Sequence, residues 1–358
     1  MNALAPPPAA VPFADGIYFG LDEAPYHEDP ALGSSDLKTL YAEPAAYWHR
    51  SGLNPDRPAD EDDSAHRIIG RAVHKFVLEG PQAFNRLYER HPEGDDLLRT
   101  SDDIGAWLKE RGAKAPALKA ARIAQVLAWC EAAGEAPPRI LDVIAREAAE
   151  AGRTLIDGVA FDRIVAAGGA VLDNPHLADS FHGGASEVSI FWTEDVDGEL
   201  VRRKARFDYL RIRAVVDLKS TRPRDHLPFV ASCRRALAEW NYPTQAAAYL
   251  QGRAQLPRLV TEGRVFGDHD PAWLARVASA ETYAFVFVFW ASTGAPLTWG
   301  GVLSPDNPVL DLGRVYVRHA LANYVAARRT HGLAAPWITH HPLEEIDLDD
   351  LPRWYGAA

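Results

Sequence analysis

The chain has almost no cysteine. Cys130 and Cys233 are its two thiols in 358 residues, too few for a disulfide framework or a four-cysteine metal site. A reducing cytoplasm suits such a chain. No apolar run approaches the roughly 20 residues that a membrane-spanning helix needs, so no membrane role is expected. The opening stretch MNALAPPPAAVPFADG has no basic segment ahead of its apolar residues and is broken by prolines. That pattern argues against a signal peptide and for a flexible leader over residues 1–20. A G-x-x-x-x-G-K-[ST] loop is missing, which removes an ATP-driven motor. Internal repeats and low-complexity blocks are missing as well.

What is present is ordinary globular material, 47% hydrophobic and 24% charged, with ample apolar residues for a sizeable core. Residues 21–335 are read as a single domain and 336–358 as a tail. The net charge of −11 argues at first against a nucleic-acid partner. Its distribution argues otherwise. Between Val201 and Arg235 there are eleven Lys/Arg and three acids, a local balance of +8 that leaves the remainder at −19. Such an island either focuses a polyanion onto one place or is simply a well-solvated charged hairpin.

Helical spacing is expected from the Ser34–Ser35 region to Gly52 with an interruption at Pro44, and over 64–79 with Ser64 as its cap. RPADEDDSAH, between them, reads as a charged linker. Further helices are expected over 81–90, 115–134, 137–151, 227–239, 243–251 and 306–329, while 159–180 is ambiguous. Strand signals occupy 186–194, 199–210, 213–219 and 281–292, with PLTWGGVL as a hairpin partner for the last. Asp197-Gly198 is a strong two-residue hairpin signal. The order of elements predicts an α/β (α+β) fold, a central mixed sheet flanked by helices.

Side chains on a strand alternate faces, so in AVVDLKST Asp217 and Lys219 share one face and Val216 and Leu218 the other. A turn at Asp197-Gly198 puts Glu187 opposite Asp208. A turn centred on Ile212-Arg213 puts Asp208 opposite Asp217. Like charges so placed are destabilising. Either Arg203 and Arg206 neutralise them in an ion network, or a divalent cation sits among them, hard oxygen donors suiting Mg²⁺ or Mn²⁺. Lys219 beside the acids makes chemical sense if a metal-bound water attacks a phosphodiester, because an ammonium can orient that water and stabilise the developing charge.

Asp208 followed by Asp217-Leu218-Lys219 resembles the PD-(D/E)xK nuclease superfamily. Four further stretches resemble its RecE-type (exonuclease VIII) phage exodeoxyribonucleases: YHEDPALGSSDLKTLYAEPAAYWHR, GRAVHKFVLEG, SEVSIFW and YPTQAAAYLQG. Together they span about residues 25 to 330 in the family's order, with Phe207 standing where the nominal pattern has proline. The resemblance implies a restriction-endonuclease-like core and Mg²⁺-dependent degradation of linear duplex DNA from an end, 5′ to 3′, for recombination, with Mn²⁺ able to substitute. It implies Asp208, Asp217 and His74 as metal ligands, Lys219 as the catalytic lysine and Glu187 at the edge of the site. Gln245 and Tyr249 would lie on a helix facing DNA, and Arg203 and Arg206 are further candidate DNA contacts. A single-strand annealing protein and a homo-oligomeric ring are the implied partners. The two cysteines cannot supply the four-cysteine iron–sulfur site of some related nucleases, so no cluster is expected. On its helix, His74 leans over Gly70 four residues earlier, which leaves room for a metal or permits close packing on the sheet. An endonuclease or nickase of the same superfamily, or a catalytically silent DNA-binding relative, are the rival readings. GDHD (267–270) and the acidic HHPLEEIDLDD (340–350) are assigned no role.

Overall fold

The computed structural model describes residues 12–58 and 65–351. The proposed cap Ser64, most of the charged linker, residues 1–11 of the leader and the end of the tail lie outside them. The strands are β1 (Gly16–Tyr18), β2 (Tyr88–Arg90), β3 (Thr154–Ile156), β4 (Ala185–Val196), β5 (Glu199–Leu210), β6 (Ala214–Thr221), β7 (Val265–Phe266), β8 (Ala284–Ala291) and β9 (Thr298–Leu303). The helices before the main hairpin are α1 (Glu23–Glu28), α2 (Ser34–Ala42), α3 (Pro44–Arg50), α4 (Ala65–Glu79), α5 (Pro81–Leu87), α6 (Ser101–Glu110), α7 (Lys119–Ala133), α8 (Leu141–Glu150) and α9 (Gly158–Leu172). After it come α10 (Phe229–Glu239), α11 (Tyr242–Arg253), α12 (Leu256–Thr261), α13 (Pro271–Ser279) and α14 (Pro308–His331).

Seven strands form one mixed sheet in the order β7-β1-β4-β5-β6-β8-β9, and β2 and β3 pair separately. The expected mixed sheet flanked by helices is therefore present. β4, β5 and β6 form an antiparallel meander, while β6 and β8 run parallel. β8 reads AFVFVFWA because both of its faces are covered. Phe285, Phe287 and Phe289 enter the larger core, while Val288 and Trp290 enter the smaller one. The larger core lies against α2, α3, α10, α11 and α14, and the smaller one against α4 and α9. The chain between β2 and β3 carries α6, α7 and α8 around a core of its own, built on Ile104, Leu108, Val126, Cys130 and Ile140.

Several short elements were not expected. Residues 16–18 fall inside the proposed leader, yet Ile17 is fully buried and pairs with both β4 and β7. The leader reading therefore stops short of this strand, whose three residues are too few for a periodic signal. Trp337, in the proposed tail, is buried against Tyr47 and Tyr324. α2 is capped by Gly33 rather than by Ser34 or Ser35, with Asp36 accepting the Gly33 N–H at 2.8 Å.

α2 reaches its partner from the far end of the chain. Asn323 of α14 donates to the Leu40 carbonyl at 3.0 Å, and the Tyr41 and Tyr316 rings lie 4.4 Å apart. α14 also meets α11 closely: a Cβ on Gly313 would stand 2.2 Å from the Pro243 carbonyl oxygen. Only glycine permits that approach.

Candidate active site

The meander keeps the expected registers. Asp197 and Gly198 both have positive φ, 52° and 82°, as a type I′ hairpin requires. Ser186 faces Tyr209 and Val188 faces Phe207, which leaves Glu187 opposite Asp208. Tyr209 faces Val216, so Asp208 is in register with Asp217.

The ladder fails at those acids. Glu187 takes no part in the pairing and has φ +54°, a left-handed conformation costing a side-chain-bearing residue roughly 1–2 kcal/mol. On β5, Phe207 enters the larger core and Tyr209, two residues on, the smaller one. A regular strand would send both to one face, so the strand turns over at Asp208. Past Tyr209 and Val216, β5 and β6 separate, and the inner edge of β6 lies open.

Leu218 uses that open edge. Its N–H donates to Asp208 Oδ2 at 2.7 Å, and its carbonyl accepts from His74 Nε2 at 3.0 Å. The backbone of one residue thus orients two side chains from separate elements. A carbonyl can only accept, so Nε2 carries the proton and the neutral ring presents a lone pair at Nδ1. Nδ1 faces Asp208 Oδ2 across 3.8 Å. Burial and, less strongly, the Lys219 charge lower the His74 pKa, which favours the neutral ring.

Asp217 is fully buried. Its Oδ1 accepts from Gln245 Nε2 at 2.8 Å, and its Oδ2 lies 2.7 Å from Lys219 Nζ without a well-aligned hydrogen bond. Burial pushes the Asp217 carboxyl up to about 6, against the attraction of Lys219 and with the Asp208 charge adding to the rise. Asp208 and Glu187 are raised too, chiefly by burial. Burial alone would lower Lys219, but Asp217 and Asp208 outweigh it and raise its pKa.

A cleft of about 970 Å³ opens over this region, lined among others by His74, Gly70, Glu187, Arg206, Asp208 and Tyr249. A Cβ on Gly70 would meet nothing within 4 Å, so the space above His74 is open cleft and not close packing on the sheet. Gly70→Ala is accordingly expected to raise stability by about 0.5–1 kcal/mol. Denaturant unfolding checks this, and a destabilised variant would show that the cleft closes on Gly70.

The other expected residues divide. Gln245 is buried and holds Asp217, so it does not stand on a DNA-facing surface. Its hydrogen bond to Tyr249 continues the chain from Asp217 to the cleft. Arg206 pairs with Glu187 and donates to the Leu21 carbonyl at 2.7 Å. Arg203 is buried, pairs with Glu194 and stacks near Trp192, 5.1 Å from the ring centre. The expectation that Arg203 contacts DNA is overturned by that burial, since its guanidinium points into the protein.

Much of the basic island is spent in the same way. Lys204 donates to the Tyr26 and Asp29 carbonyls, Arg202 pairs with Asp29, and Arg224 and Arg235 share Glu239. Arg213, Arg222 and Arg234 are exposed. The backbone role of Leu218 carries no side-chain pattern by which a sequence could announce it, while Asp268 of GDHD, assigned no role from the sequence, lines the cleft.

No protein-family description and no curated protein matches the chain. Among solved structures, a "Putative exonuclease" from Eubacterium rectale is similar at a TM-score of 0.42 and 13% identity, covering 86% of this chain and 88% of that one. A second, named only by its locus, gives a TM-score of 0.24 at 13% identity, covering 72% and 86%.

Whether a cation fits turns on the donors. Among the described residues, no three His, Cys, Asp or Glu side chains converge as a ready-made cage. Two features favour a cation all the same. His74 Nδ1 and Asp208 Oδ2 face each other across 3.8 Å, too far for a hydrogen bond. Asp217 Oδ2 is a buried oxygen with no well-aligned hydrogen-bond donor, its polar contact being the Lys219 ammonium at 2.7 Å. A histidine whose other nitrogen donates to a backbone carbonyl is the usual arrangement for a metal ligand. The donors fit a hard divalent ion.

Proposed function

We propose that this protein is a divalent-metal-dependent deoxyribonuclease. On this reading it degrades linear duplex DNA from an end, 5′ to 3′, and leaves single strands for recombination. The observation that carries it is the group at the open edge of β6: His74 Nδ1 facing Asp208, with the Asp217–Lys219 pair at 2.7 Å beside it. His74, Asp208 and Asp217 would hold Mg²⁺ or Mn²⁺, which supplies an activated water and neutralises charge on a phosphate. Lys219 orients the attacking water and stabilises negative charge on the phosphoryl oxygens. Asp217 fixes the Lys219 ammonium, Gln245 fixes Asp217, and Leu218 fixes His74 and Asp208. Arg206 holds Glu187 at the rim of the cleft.

End-directed action and its polarity are part of the proposal by resemblance to RecE-type exonucleases, as are a ring-shaped oligomer and a single-strand annealing protein that takes up the product. Incubation with linear and covalently closed duplex, with Mg²⁺ or with EDTA, tests the reading. The expected result is Mg²⁺-dependent shortening of the linear form alone. Cutting of closed circles would make the protein an endonuclease, and no cleavage under any condition would leave a DNA-binding relative.

A further inference from the structure

The two ends of the seven-stranded sheet are finished differently. β7 is two residues long, with Arg264 just before it and Asp268 close behind, and a short, charge-flanked strand is a common protection for a sheet edge. β9 closes the other end with the six residues TWGGVL. No charged side chain stands between Glu281 and Asp306. For β8 this follows from burial on both faces. β9 has an outer edge and lacks charge all the same.

Ala291 donates its N–H to the Leu297 carbonyl at 2.9 Å, which sets the phase of the β8–β9 ladder. Alternation from that pair turns the backbone groups of Trp299, Gly301 and Leu303 toward β8, and those of Thr298, Gly300 and Val302 away from the sheet. Among the described residues, these outward groups have no backbone hydrogen-bond partner. The strand itself is held firmly on both faces. Leu303 is buried in the larger core and Trp299 packs against it. On the other face, a Cβ on Gly300 would stand 2.5 Å from Leu177 Cδ2, and Asn174 donates to the Thr298 hydroxyl at 2.9 Å. Val302, 61% exposed, and Leu297, 41% exposed, leave apolar surface along the same stretch. A fixed, uncharged row of spare donors and acceptors is a template for one more strand.

The chain's own chemistry selects the occupant. A net charge of −11 disfavours contact between copies, but two uncharged edges bring no like charges face to face. The edge is also self-complementary. With two copies antiparallel about Gly300, every outward position meets an outward position: Gly300 faces its own equivalent, and Thr298 faces Val302 of the second copy. Glycine at the centre leaves no side chains to collide there, and Thr opposite Val is a β-branched pair suited to a strand.

We propose that β9 is a contact between two copies of this chain, paired antiparallel through Thr298, Gly300 and Val302 about a two-fold axis at Gly300. Each facing pair exchanges both of its N–H···O bonds, and the two seven-stranded sheets become one. The contact uses the same patch on both copies and closes at two, unlike the head-to-tail contacts of a ring. It stands whether or not the protein cleaves DNA.

Sedimentation over a concentration series tests the contact on wild type, Val302→Pro and Val302→Lys, with thermal melting as a control for folding. The Val302 N–H points outward, so proline there removes no bond of the β8–β9 ladder, and lysine blunts an edge. Both variants are expected to halve the mass of the wild-type species. A mass that neither variant changes overturns the proposal, as does a wild type that stays single at every concentration. Cross-linking reads the register separately, and decides the matter if either variant melts without cooperativity. Cα atoms of a hydrogen-bonded antiparallel pair lie about 5.5 Å apart, within disulfide range. Thr298→Cys and Val302→Cys combined in one chain should give a covalent dimer on mild oxidation, and neither alone should do so. A double variant that stays uncross-linked overturns the proposal.

Discussion

Lys219→Ala is expected to lower the rate of Mg²⁺-dependent DNA cleavage by about 10²–10⁴-fold, the range in which a positioned proton-transfer group acts. Duplex affinity in EDTA should change little by comparison. The substitution leaves the fold largely intact for an identifiable reason. Without its ammonium neighbour, the buried Asp217 carboxyl, already pushed up to about 6, takes up a proton instead of remaining an unpaired charge. Gln245 still holds its other oxygen. Single-turnover cleavage, melting temperature and EDTA binding on one preparation separate chemistry from folding and affinity. Unchanged turnover would remove Lys219 from the mechanism.

Asp217→Ala is the opposite experiment, and its principal effect is on stability. It strands the Lys219 ammonium, whose side chain is 17% exposed, and the Gln245 amide, both enclosed by the larger core. Removing one member of a buried ion pair costs about 3–5 kcal/mol, and the low end applies because Lys219 keeps some contact with water. Asp217→Asn retains shape and should cost less. A pH series tests the electrostatic part. The folded carboxyl titrates near 6, above the ordinary carboxylate range. It therefore contributes stability that is complete below the unfolded pKa and is lost as pH rises through about 6. In EDTA, the difference in stability between wild type and Asp217→Asn should shift against the wild type between pH 4 and pH 7. Mg²⁺ should offset that shift, because a cation bound to the ionised form stabilises the folded state. A difference that is flat over this range, with or without metal, would argue against a buried cation-binding carboxylate.

The sequence disclosed the site unevenly. The registers that align Glu187, Asp208 and Asp217 could be read from two turns, because a two-residue hairpin at Asp197-Gly198 leaves one alignment and side-chain alternation does the rest. The alignment implied three acids facing one another across regular strands. In the folded chain the ladder gives way at those positions, and Leu218 takes part through its peptide. A backbone group has no residue type, so composition and spacing could not reveal it. The basic stretch misled for a related reason. Arg203 turns inward to Glu194 across its own hairpin and Lys204 to the carbonyls around Tyr26 in a distant segment, and a charge count does not distinguish an inward cation from an outward one. Gln245 reads as a polar residue on one face of a helix, and only the packing of α11 on the sheet brings it against Asp217.

The seating of α2 on α14 bears on how the chain matures during translation. Leu40 and Asn323, which join the two helices, are separated by 283 residues. At 5–20 residues per second, ribosomal synthesis takes roughly 15–60 s to cover that stretch. Throughout that interval α2 has been made but lacks its α14 partner, while Asp208, Asp217 and Lys219 emerge one after another. The contact between α2 and α14 therefore forms only after the acids and the lysine of the site have been made.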